Sequence, residues 1–214
     1  MSERVLAYLI LLFLISIFAI YKYKRLTAPF KILTILIVLT FLSEVVSRYL
    51  AITIRNSNYT YHFFSVIEYS CIAIIYLQSI TSSTTKSIIK LTLLLVPVLA
   101  VLNTIFVQPL YTFPSNIILV TYTLLLLFSL SLFYQFWNYP LQVRINEIDV
   151  FILNCLILMF CVSVFCTLGV YNYFLRHHLN NYIITTINYS INITFYLGIG
   201  VCFYRNSKRK RWKR

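Results

Sequence analysis

The sequence predicts an all-α, polytopic transmembrane bundle of seven spans, with the N-terminus outside and the C-terminus in the cytoplasm. Three observations carry this expectation. Hydrophobic residues make up 60% of the 214 positions and charged residues only 11%, whereas soluble domains carry about a quarter charged residues. Apolar runs recur that are long enough to cross a ~30 Å hydrocarbon core, which takes roughly 17–25 helical residues. Lysine and arginine collect on alternate loops, as orientation in a membrane requires.

The predicted spans are residues 5–21, 32–54, 63–80, 91–108, 117–137, 150–171 and 182–204. They form one transmembrane domain, 1–204, followed by a polybasic tail, 205–214. Runs of this length are helical, because barrel strands need only ~10 residues. The first run differs from a signal peptide in two ways: its basic flank (Lys22, Lys24, Arg25) follows it, and no small-x-small cleavage site comes after it. The linkers are short and leave no room for an extramembrane domain.

Orientation follows from the charge count. The loops after spans one, three and five, together with the tail, hold 14 basic residues, against 3 on the opposite side: Arg4, Arg55 and Arg176. Positive-inside therefore places the tail in the cytoplasm. The net charge of +13 is loop and tail charge rather than a continuous basic face, which disfavours nucleic acid as a partner. In the tail, Lys208, Arg209, Lys210, Arg211, Lys213 and Arg214 are expected to rest on anionic lipid headgroups.

Polar residues inside the spans mark the candidate site. Only five residues are acidic, and Glu44 and Glu68 fall within spans two and three. An ionisable group at a helix centre costs on the order of 2.5–3.5 kcal/mol to insert, so each needs a reason. Thr40, Glu44, Ser47, Arg48 and Ala51 recur on one helical face of span two. Thr185, Asn188, Asn192 and Tyr196 do the same in span seven. Counting depth at 1.5 Å per residue from the outer ends puts Arg48 level with Glu68, at roughly 8–9 Å. An Arg48–Glu68 ion pair is thus expected, inside a polar pocket lined by spans two, three and seven.

The candidate ligand- or proton-binding residues are Glu44, Arg48, Glu68, Asn188, Asn192 and Tyr196. Two carboxylates facing one arginine leave one charge uncompensated, so either a glutamate is protonated or a small ligand or cation is bound. The same polar contacts would equally fix the register of three helices. Tyr69, Tyr189 and Tyr196 are further pocket-lining candidates, while most other tyrosines sit near span ends as interfacial anchors. His62, His177 and His178 fall on the outer side and are the weak candidates for a metal, without any recognisable ligand spacing. The five cysteines lie in apolar runs with no C-x-x-C pair, and no cofactor motif is present.

A retinal pump is excluded because span seven has no Schiff-base lysine. Ceramidase-like hydrolases need aspartate and deep histidine within the bundle, and the predicted spans hold neither. Seven-span sugar transporters carry paired prolines, whereas only Pro97 lies well inside a span.

The stretch Ser43-Glu-Val-Val-Ser-Arg-Tyr49, with Asn56 to Tyr61-His62-Phe-Phe-Ser-Val-Ile-Glu68-Tyr69, resembles small integral membrane proteins of Bacteroidetes-type bacteria, uncharacterised in function. The likeness covers residues 40–80 and implies a similar span count and a bacterial inner membrane, with no activity attached. Three functions are compatible with these residues: a sensing or accessory protein with a polar outer pocket, a cation- or proton-coupled transporter, and a lipid-acting membrane enzyme. The first fits best, since nothing in the sequence supplies catalytic machinery.

Overall fold

The computed structural model of the protein describes residues 3–138, 145–177 and 182–209. Among these residues the regular structure is entirely helical. Helix α1 spans Glu3–Lys22 and leads through a 3-10 turn, Tyr23–Arg25, into α2, Ala28–Thr53. Then come α3 (Asn58–Ser79), α4 (Ser83–Phe106), α5 (Ser115–Asn138), α6 (Ile145–Arg176) and α7 (Tyr182–Arg209).

Local chemistry explains several boundaries. Pro29 sits in the first turn of α2, where its missing N–H has no helical partner to lose. The Ser82 side chain accepts from the Thr85 N–H and caps α4. Arg55, in the left-handed region at φ 57°, turns the chain between α2 and α3. Hydroxyls within the helices donate to carbonyls one turn back, as Ser16 does to Leu12 and Thr34 to Phe30, so these polar residues cost little in an apolar setting.

Helices α1 to α6 are long and apolar enough to cross a membrane, by length and composition. The surface agrees: Leu14, Ile52, Leu94, Phe106, Leu127 and Met159 are all exposed. A monomer with so much apolar surface belongs in lipid rather than water. The chain is a multi-pass membrane protein. α7 is longer than α1 but more polar, and it falls outside that set of six.

Packing closes a ring in the order α1, α2, α3, α5, α6, α7 and back to α1, with α4 outside it against α3 and α5. Helices consecutive in the chain run antiparallel, so the ring neighbours α3 and α5 run parallel, as do α1 and α7, and two sets of end contacts define the faces. At one end, here the N-face, Asn58 at the start of α3 donates to the Tyr111 carbonyl ahead of α5. At the opposite C-face, Thr27 ahead of α2 meets Asn206 near the end of α7. The core towards the C-face is solid, with Phe30, Ile37, Ile72, Tyr76, Ile199 and Phe203 all buried.

Several expectations about the spans change, and α4 starts at Ser83 rather than at 91. α3 starts at Asn58 rather than at 63, because Asn58-Tyr-Thr-Tyr-His62 is helical although too polar to register in a hydropathy reading. Asp149, expected just outside a span, is the first residue of an apolar segment and is 1% exposed. The statement that no span holds an aspartate is therefore corrected.

Candidate functional site

The ring encloses a cavity of about 350 Å³ towards the N-face. Each ring helix contributes, including Tyr8 from α1, Ile118 from α5 and Phe160 from α6, and Phe113 reaches in from the segment before α5. Glu44, Arg48, Glu68, Asn188, Asn192 and Tyr196 all line it. The structure thus brings together the six residues singled out in the sequence, within a pocket walled by six helices rather than three. Tyr189 also lines it, whereas Tyr69 does not and is buried elsewhere in the core.

The expected Arg48–Glu68 ion pair is not formed. Arg48 Nη2 lies 3.6 Å from Glu44 Oε2, one turn back on the same helix. It also donates to Tyr189 Oη at 2.9 Å, tying α2 to α7. The reason lies in the start of α3. With Asn58 as its first residue, Glu68 is ~15 Å along the helix, level with Glu44 at ~14 Å from Thr53 rather than with Arg48 at ~8 Å. Glu68 instead accepts a hydrogen bond from Tyr122 Oη on α5, at 3.0 Å.

On α7, Asn192 Nδ2 donates to the Asn188 carbonyl and to Asn188 Oδ1, at 2.8 and 3.2 Å. Both amides are therefore held along one face of the helix. That face looks into the cavity, which explains why α7 is more polar than the other helices while Phe195, Ile199 and Phe203 pack in the core.

Among the described residues the histidines do not assemble a metal centre. His62 is buried, with Nδ1 2.9 Å from Thr104 Oγ1 and Nε2 2.9 Å from the Thr112 carbonyl. Both ring nitrogens are engaged in joining α3 to α4 and to the segment before α5. His177 is exposed in the turn after α6, and His178 lies outside the described residues. Among the described residues, no group of three His, Cys, Asp or Glu is placed to hold a metal ion.

The basic tail is described only in part. α7 runs on through Arg209, with Lys208 Nζ 4.3 Å from the centre of the Tyr204 ring. Lys210, Arg211, Lys213 and Arg214 lie outside the described residues.

Two polar groups towards the C-face were not anticipated as sites. Tyr76 Oη donates to Asn154 Oδ1 at 2.7 Å, and Asn154 Nδ2 donates to the Ser129 carbonyl at 3.2 Å. Asn206 Nδ2 donates to Asp149 Oδ2 at 3.1 Å while its Oδ1 accepts from the Thr27 N–H, also at 3.1 Å. Arg205 Nε lies 3.8 Å from Asp149 Oδ1. The sequence signal for the second group was an aspartate and an asparagine at the margins of apolar runs, where a loop reading absorbs them.

No family model, curated protein or solved structure matches the chain.

Proposed function

We propose that this is a seven-span integral membrane protein of sensing or accessory type, whose outer-half cavity binds a small ligand or a proton. The observation that carries the proposal is the convergence of Glu44, Arg48, Glu68, Asn188, Asn192 and Tyr196 on one cavity of about 350 Å³. Ligand sites usually have volumes of about 300–1,000 Å³ and a few polar groups set among apolar ones. Intramembrane ionisable residues mark functional sites by default.

α7 counts as the seventh span in this reading. It closes the ring between α6 and α1, and at 28 residues it reaches ~42 Å. The C-face carries Lys22, Lys24, Arg25, Lys86, Arg205 and Lys208, so positive-inside sets the N-face, and with it the cavity, outside the cytoplasm. The basic end of α7 then rests on anionic headgroups of a bacterial inner membrane. An impermeant maleimide should label Ser57→Cys in intact cells and leave Ser83→Cys unlabelled, with the native cysteines replaced in both. The reverse pattern overturns the orientation.

Occupancy of the cavity is tested by a crystal structure of the purified chain grown from a lipidic phase. Non-protein density against Glu68 is expected. A cavity filled by solvent alone, together with a Glu68→Gln melting temperature that tracks wild type at every pH, would sink the proposal.

The second reading, a cation or proton transporter, is favoured by the Tyr76–Asn154–Ser129 group, which offers a buried polar step beyond the cavity. Flux through proteoliposomes decides between the two. Proton or cation uptake abolished by Asn154→Leu would select transport.

A further inference from the structure

With both of its carboxylates ionised, the cavity holds an unmatched charge. Arg48 is occupied by Glu44 at 3.6 Å and by Tyr189 at 2.9 Å. Glu68, on a different helix, has no cation within ion-pair distance among the described residues. One of its oxygens accepts from Tyr122, and the other has no hydrogen-bond partner among the described residues. Two carboxylates and one guanidinium leave the site with a formal deficit of one positive charge.

The rest of the wall narrows what can supply that charge. Of the 21 lining residues, 8 are Tyr or Phe. Phe160 stacks on Phe195 at 4.1 Å between ring centres, and Tyr61 meets Phe113 edge-on at 5.5 Å, so these rings are held in place by neighbours. Aromatic faces attract cations, more strongly when water is excluded. Val164, Leu168 and Ile118 add an aliphatic surface.

An anion meets two carboxylates and only one arginine, whose Nη2 already faces Glu44 and bonds Tyr189. A bare metal ion needs about six oxygen ligands gathered around it, and among the described residues no group of three His, Cys, Asp or Glu is placed to hold one. A neutral molecule leaves an ionised Glu68 without a counter-charge in a low-dielectric wall. An ammonium group on an apolar body answers each feature: its N–H reaches the open oxygen of Glu68, its charge faces the rings, and its body covers the aliphatic wall.

We infer that the cavity is a site for a monovalent organic ammonium ion, a protonated amine carrying a small aromatic or aliphatic body, held by Glu68. This rests on the reading of the cavity as a ligand site and names the ligand class.

Isothermal titration calorimetry on the full chain in nanodiscs tests it with three probes of one shape: benzylammonium, benzyl alcohol and benzoate. Benzylammonium should bind roughly tenfold or more tightly than benzyl alcohol, with benzoate weakest. Glu68→Gln should erase the preference for the cation over benzyl alcohol. The comparison of probes on the wild-type chain decides even where a Glu68 variant fails to fold. Equal binding of benzylammonium and benzyl alcohol overturns the ammonium assignment while leaving a ligand pocket standing. A preference for the cation that persists in a folded Glu68→Gln variant removes Glu68 as its holder and also overturns the assignment. No binding by any of the three overturns this inference and counts against the ligand reading beneath it.

Discussion

Tyr122 Oη donates to Glu68 Oε2 over 3.0 Å and joins α5 to α3 within the cavity wall. Among the described residues no other hydrogen bond reaches this carboxylate. Tyr122→Phe removes the donor and leaves the acid unsatisfied, at a cost of about 1.5–3 kcal/mol for a hydrogen bond to a charged group. Glu68→Gln keeps an oxygen that the phenol can reach and should cost less. Reversible unfolding in mixed micelles gives the order directly. Equal losses would mean that a bound molecule takes over from the phenol.

Arg48 touches Glu44 on its own helix and Tyr189 on α7, and these two links predict different things. The Arg48–Glu44 pair is partly exposed to the cavity, so its coupling in a double-mutant cycle of Arg48→Met and Glu44→Gln should be about 0.5–1 kcal/mol. Arg48→Lys keeps the charge beside Glu44 but gives up the planar guanidinium that reaches Tyr189. It should therefore lower stability nearly as much as Arg48→Met. A lysine variant as stable as wild type would show that the bridge to α7 contributes nothing.

The apolar helices were legible because lipid demands long, continuous apolar runs, and the polar face of α7 was legible from its 3.6-residue period. Relative depth was not. Hydropathy finds the apolar middle of a helix, while depth depends on where the backbone starts to coil, and in α3 that is the polar stretch from Asn58. An error of five residues shifts Glu68 by ~7.5 Å, enough to exchange Arg48 for Tyr122 as its partner. Tyr8, Tyr61 and Tyr122 do not stand out in the sequence as cavity residues, because a tyrosine turned inward and one anchored at the interface look alike there. The ring order, with α4 outside, had no sequence signal; only the structure shows that α4 buries a single face, Ile89, Val96 and Ala100.

His62 joins three segments through two contacts of 2.9 Å. His62→Ala should cost about 2–3 kcal/mol, since it opens a buried gap and leaves the Thr112 carbonyl without its partner. Chelator treatment should leave the melting temperature of wild type unchanged, because both ring nitrogens are already engaged. A fall in melting temperature with chelator, restored by zinc, would contradict this role.

Arg55 holds a left-handed conformation at φ 57° and is exposed. An L-residue there costs roughly 1–2 kcal/mol, which glycine relieves in part against its greater freedom in the unfolded chain. Arg55→Gly should therefore raise stability by about 0.5–1 kcal/mol. Thermal unfolding checks it, and a loss would show that the side chain makes a contact that outweighs the strain.

At the C-face, Asn206 uses both ends of its amide, donating to Asp149 and accepting from the Thr27 N–H. It thereby fastens the α1–α2 turn and the start of α6 to the last turns of α7. Asn206 and Asp149 are 2% and 1% exposed, so a broken link is not made good by bulk water. Asn206→Leu should cost about 2–4 kcal/mol, because it strands a backbone N–H and removes a donor from a buried carboxylate. Asp149→Asn keeps an oxygen for Asn206 while giving up the charge that faces Arg205, so it should be milder. Amide hydrogen exchange at Thr27 separates a local fastening from a general one. If the latch is local, Asn206→Leu accelerates exchange at Thr27 while the amides of α3 stay protected. Uniform acceleration through α3 would instead make the latch part of the global fold.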